Sequence, residues 1–194
     1  LTTIDQRQTN LLIMSSSLTA SQAQFQRSIF FDFQRAKSSA NYRKRLAIWY
    51  LECKGHTLNR RDQKAFSEWV RLLYQKLPFL VEYVAGQPYK TASEMTEDVR
   101  QTGVLKISTD FNDPVVLTPE YNLFYRAIHD SHHILGGWDF SWEGELAACQ
   151  YFCSLTNNRL YHRILFSELI LQAAAYLYLG DFPQEQKLVL SLPY

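Results

Sequence analysis

Apolar residues recur mostly three and four positions apart along the chain, the spacing of a helix with one buried face. Thr19-Ala20-Ser21-Gln22 has capping-box spacing, and Phe25, Ile29 and Phe33 then predict a helix to about Lys37. Asn41 to Lys54 repeats the pattern through Leu46, Trp49, Tyr50 and Cys53, with Gly55 where a helix should stop. From Asn59 a third stripe of Phe66, Trp69, Val70, Leu73 and Leu77 runs to near Pro78. Thr91 and Glu94 again have capping-box spacing, and Gly103 closes the short helix they open. Val104 to Ile107 and Val115 to Leu117 read as a small hairpin, turning near Asn112-Asp113-Pro114. Thr118 reads as an N-cap and Pro119 as the first residue of a helix over 119–136. A further helix follows from about Glu143 to Leu155, and after Asn157-Asn158 a last long one ends at Gly180. The expected fold is all-α. Residues 19–194 form a single compact domain of about six to eight helices with one small hairpin, behind a loose tail over 1–18.

Composition narrows the class of function. The chain has only 7 Gly and 6 Pro among 194 residues, which suits long helices. Its formal net charge is +1, and its basic residues alternate with acidic ones, so nucleic acid is not the expected partner. Cys53, Cys149 and Cys153 form no secretory disulfide framework, and the last two read as small apolar filler on one helix face. No signal-peptide pattern is found near Leu11 to Met14, and no run of about 18 apolar residues could span a bilayer. These readings place the protein in the cytoplasm or peripherally on the inner face of a membrane, and not outside the cell.

The chemistry concentrates in one string, Tyr125-Arg126-Ala127-Ile128-His129-Asp130-Ser131-His132-His133. On a helix His129, Asp130 and His133 share a face about 100° wide. Two imidazoles and a carboxylate on one face are what a divalent metal needs from a single helix. Eleven residues separate His133 from Glu145, so the next helix can fold back and offer its carboxylate to the same point. The expected ligands are His129, Asp130, His133 and Glu145, for one divalent ion: zinc, iron or magnesium. Arg126 lies three before His129 and four before Asp130, within reach of Asp130 or an anionic ligand; it and Asp130 are the candidate catalytic residues.

The pattern His-Asp-x-x-His, eleven residues, Glu resembles that of the ubiquinone (coenzyme Q) biosynthesis protein 4 family. Tyr125-Arg126 before it, Gly137 after it and the Gly144-Glu145 pair add to the likeness, which covers about Tyr121 to Gln150. The resemblance implies an all-helical fold with the metal on His129, Asp130, His133 and Glu145. It also implies binding of a prenyl-type lipid or prenylated ring, oxidative decarboxylation at the ring, and an assembly role at the membrane face. A homo-oligomer or a biosynthetic complex belongs to the same expectation.

Independently, the helix from Leu160 to Leu179 is apolar nearly all round, so it is either core or the wall of an apolar slot for a lipid. Glu168 in its middle is the anomaly, because an unpaired buried carboxylate is costly. Two rival functions stand beside the first. A zinc-dependent metallohydrolase would use Asp130 as general base, since His-Asp-x-x-His echoes the zinc-peptidase pattern. A non-catalytic lipid-binding scaffold would use the metal only to staple two helices, and its 12 Tyr and 4 Trp to dock a membrane or partner.

Overall fold

A computed structural model describes residues 32–192. The predicted tail over 1–18 and the capping box at Thr19 lie outside the described residues, whereas residues 32–38 are helical as expected. Seven α-helices follow among the described residues: α1 (Ala40–Glu52), α2 (Arg60–Tyr74), α3 (Ala92–Thr102), α4 (Pro119–Gly136), α5 (Trp142–Ser154), α6 (Arg159–Leu165) and α7 (Gln172–Leu179). Two strands, β1 (Leu80–Val84) and β2 (Val104–Ser108), flank α3. The fold is all-α with one minor sheet.

Side-chain caps set most helix starts. Ser39, Asn59, Thr91, Thr118, Ser141 and Asn158 each accept a hydrogen bond from a backbone N–H of the first turn. Gly103, Gly137 and Gly180 close α3, α4 and α7 in the left-handed region, at φ 71°, 64° and 75°.

The helices bury two hydrophobic clusters. The larger joins Leu46 and Tyr50 of α1, Phe66 and Val70 of α2, Phe152 of α5, and Ile164 of α6. The smaller packs Met95 and Val99 of α3 against Leu105 and Ile107 of β2. α4 is the wall between them. Its Tyr125 and Ile128 belong to the larger cluster and its Ala127 to the smaller. A fully buried Leu, Ile or Phe contributes about 1.5–3 kcal/mol, so a helix gripped on both sides is well fixed for positioning a site.

Two expectations are corrected. The strand at Val104–Ser108 exists, but its partner is Leu80–Val84 in parallel register, Leu80 opposite Val104, rather than Val115–Leu117. The reason is local: after β2 the Arg126 guanidinium draws in the carbonyls of Ser108, Asp110 and Phe111, and Asn112 binds the Pro119 carbonyl. The chain therefore turns toward α4 instead of returning along β2, and the two strands are joined by the α3 crossover that parallel pairing requires.

The last long helix is not uniform. Phe166–Leu171 is a π-helical segment between α6 and α7. Each widened turn shifts the side-chain register, and Glu168 sits inside it. The expected choice between core and slot is also resolved for most of its length: Ile164, Leu165, Ile170, Leu171, Ala174 and Ala175 are packed into the larger cluster. The cavities described beside it are of water-molecule size. Among the described residues no helix is long and apolar enough to cross a membrane.

Candidate metal centre

α4 and α5 build the site. Thr118 caps α4 and Pro119 opens it; the helix then carries His129 and His133 four residues apart onto one face. Gly137 ends α4, its N–H and that of Trp138 reaching back to the His133 carbonyl. The chain turns through Asp139, whose Oδ1 accepts from the Ser141 backbone N–H and hydroxyl, and Ser141 caps α5. Gly144 is needed there, because a Cβ at that position would collide with the Asp139 carbonyl oxygen. That close approach sets the first turn of α5 against the end of α4 and brings Glu145 to the two histidines. A carboxylate in the first turn is also favoured by the helix dipole.

The ligand atoms of His129, His133 and Glu145 lie within 4.8 Å of one another. His129 Nε2 is 3.2 Å from Glu145 Oε2, and His133 Nε2 is 3.6 Å from Glu145 Oε1. Two donors on one ion at about 2.1 Å stand about 3.0–3.4 Å apart, so these spacings suit a shared ion. Both Nε2 atoms are buried and neither has a hydrogen-bond partner; that of His133 is too far from Glu145 for one. The other ring nitrogens are oriented. His133 Nδ1 is 3.3 Å from the Trp138 carbonyl, to which it donates, and His129 Nδ1 is 3.6 Å from Asp130 Oδ1. Metal-binding histidines are held in this way by a carbonyl or a carboxylate behind the ring. The group can hold a metal ion.

Charge in the cluster follows from the same contacts. Burial opposes a charged His129, but Glu145 and then Asp130 outweigh it and raise its pKa to about 10. Burial would likewise raise Glu145, yet the two imidazoles hold it far below the usual carboxylate range. Without metal, a proton on His129 thus balances Glu145. A divalent ion would take that proton's place.

Of the four expected ligands, three converge and Asp130 does not. Its carboxylate lies on the Nδ1 side of His129, away from the face that meets Glu145, which makes it an orienting group. Arg126 does not bind Asp130 either. Its guanidinium donates to the carbonyls of Ser108, Asp110 and Phe111 at 2.8–3.0 Å and clamps the loop after β2 onto α4. His132 faces the rings of Tyr151 and Phe152 at 4.8 and 4.7 Å, and burial with its two neighbouring histidines lowers its pKa to about 3. It stays neutral and outside the site. Sequence reasoning missed the Trp138 carbonyl, for which no side-chain signal exists, and the steric need for Gly144.

No family model, curated protein or solved structure matches the chain. What the centre does therefore rests on its own geometry. Access runs along the side of Asp130 and Glu145, whose side chains are 30% and 20% exposed, while His133 is fully enclosed.

Proposed function

We propose that the protein binds one divalent metal ion through His129, His133 and Glu145 and uses it on an oxygen-bearing ring compound. One observation carries the metal: two buried imidazole nitrogens converge on one carboxylate with no hydrogen-bond partner. Two imidazoles and one carboxylate are the donor set of open zinc centres and of non-haem iron centres, whereas magnesium prefers oxygen donors. Three protein donors leave coordination positions for water or a ligand oxygen. Bound there, zinc would supply Lewis acidity and iron redox chemistry. The resemblance to the ubiquinone biosynthesis protein 4 family supports a prenylated ring or other prenyl lipid as the ligand, and ring oxidative decarboxylation as the reaction, in which the ring carboxyl would leave as CO2 and dioxygen, with a redox metal such as iron, would be the oxidant.

The position of Asp130 counts against a metallohydrolase. A general base must reach the metal-bound water, and a carboxylate behind the His129 ring faces the other way. The scaffold reading has one observation in its favour, since the three ligands join α4 to α5 as a staple would.

Elemental analysis after incubation with zinc or ferrous iron should find about one ion per chain. His133→Ala and Glu145→Gln should each lose it. Wild-type protein that retains no ion would overturn the proposal. Chelation separates enzyme from scaffold: a domain that unfolds without metal, and turns over no prenylated hydroxybenzoate when iron is restored, holds a structural ion.

A further inference from the structure

A second set of buried polar atoms lies outside the metal ligands. Phe66 of α2, Val116 and Leu117 of the segment before α4, Asn122 and Tyr125 of α4, and Glu168 of the π segment line one cavity of water-molecule size. The Tyr125 hydroxyl and Glu168 Oε1 are both sealed from solvent, and neither has a hydrogen-bond partner. Tyr125 as a whole is only 7% exposed. The two groups border the same space without bonding to each other, so the cavity stands between them. Asn122 spends its Nδ2 on Asn112 Oδ1, 2.9 Å away, and the polar atom it has left to offer is its carbonyl oxygen. Gln63 of α2 donates to the Val116 carbonyl at 2.9 Å and fixes that wall.

Three oxygens of different kinds thus border a space the size of one small species: a carboxyl, a phenol and an amide carbonyl. Among the described residues no lysine, arginine or histidine lines the cavity. An enclosed carboxylate without a positive partner is costly. Glu145 has two imidazoles against it, whereas Glu168 has no such side chain. The backbone that carries Glu168 is also unusual, since π turns are rare and are found frequently at functional sites.

We propose that this cavity binds one monovalent cation of potassium size through Glu168, Tyr125 and Asn122. A donor set made only of oxygen selects hard cations, in contrast to the imidazole pair of the metal centre. One carboxylate balances one positive charge; a divalent ion would leave an excess charge among Phe66, Val116 and Leu117. Potassium is close to water in size, and fixed protein oxygens can replace its hydration shell. Pro114, Asn122 and Glu168 are the half-buried members of the lining and give the ion its side toward solvent. The site shares no residue with the metal centre, so the two proposals fail separately.

The test is urea unfolding of the full chain at pH 8, in potassium chloride and in choline chloride of equal ionic strength. At that pH Glu168, with its pKa of about 7, is ionised, and choline is too large for the cavity. The midpoint should rise with potassium and then level off, as binding of one ion to the folded state alone requires. Glu168→Gln should abolish the rise. Tyr125→Phe should move the potassium concentration that gives half of it upward at least tenfold. Both substitutions remove a cost of burial, so both variants should fold. Equal midpoints in potassium and choline would overturn the proposal and leave water as the occupant. A rise undiminished in Glu168→Gln would overturn it as well, because the ion would then act elsewhere.

Discussion

Glu145 and Glu168 are the same residue in opposite electrostatic positions. Both carboxyls are enclosed by helices, yet Glu145 is held ionised by two imidazoles while burial raises Glu168 to a pKa of about 7. Glu168 is only half-buried as a residue, but its Oε1 is sealed and has no hydrogen-bond partner. It borders a water-sized cavity with Tyr125, whose hydroxyl is likewise buried and unpartnered. Tyr125 lies one turn before His129 on α4. The contrast teaches that burial alone does not define a site. Compensating donors turn an enclosed carboxylate into a ligand; their absence leaves a pH-sensitive weak point.

The largest effect should come from removing the compensation. In metal-free protein, Glu145→Gln leaves His129 without its main counter-charge and should cost about 3 kcal/mol of stability, as broken buried ion pairs do. The pair has a defined pH window. Glu145 is depressed from 4.5, so its contribution is present above that pH and fades as pH falls below it. His129 is raised from 6.5 to about 10, so its contribution is full below pH 6.5 and lost as pH rises toward 10. Urea unfolding of the metal-free wild type across this range should trace both limbs, and Glu145→Gln should flatten them. Metal affinity moves the other way: one proton must leave His129, so it should rise about tenfold per pH unit up to about pH 10.

Next in size is the orienting carboxylate. Asp130→Asn should keep the ion but weaken it about 10- to 100-fold, the usual cost of losing a group behind a metal-bound imidazole. Titration calorimetry with zinc would measure it. Full loss of the ion would make Asp130 a ligand after all, as the sequence pattern suggests.

Glu168 gives an effect of distinct sign. Its folded pKa of about 7 lies above the ordinary 4.5, so the folded state holds a proton the unfolded state has lost between those values. Stability should therefore fall as pH rises from 4.5 to 7, by at most about 3 kcal/mol from this group. Glu168→Gln should remove that slope, leaving stability near pH 4 unchanged and raising it near pH 8.

How much of this could be read from the residues differs by region for physical reasons. Thr118, Pro119 and Gly137 mark the bounds of α4 locally, and the four-residue spacing of His129 and His133 survives any packing. The place of Asp130 does not follow from the wheel alone. One position along a helix turns the side chain by about 100°, and a short carboxylate then reaches the near edge of the adjacent ring instead of its far nitrogen. β1 carries no local signal, because Leu80–Val84 is paired across the α3 crossover and no turn announces it. The π segment has no signal in its composition either: Phe166, Leu169 and Ile170 are buried in the larger cluster as they would be on an α-helix.

The smallest expected effect tests the space between the two carboxylates. Tyr125 stacks on Phe152 with ring centroids 5.5 Å apart, so its ring is fixed by packing while its hydroxyl is not satisfied. Burial, reinforced by the charge of Glu168, pushes its pKa well above the ordinary 10 and keeps the phenol neutral. Removing an unsatisfied hydroxyl removes its desolvation cost and leaves the ring contacts in place. Tyr125→Phe should therefore leave metal affinity unchanged and stabilise the fold by about 0.5–1 kcal/mol, measured by denaturant unfolding near pH 5 where Glu168 is protonated. A destabilisation of about 1 kcal/mol instead would mean that a water in the cavity binds both Tyr125 and Glu168. Glu168 would then be a satisfied acid, and its difference from Glu145 would lie in charge alone.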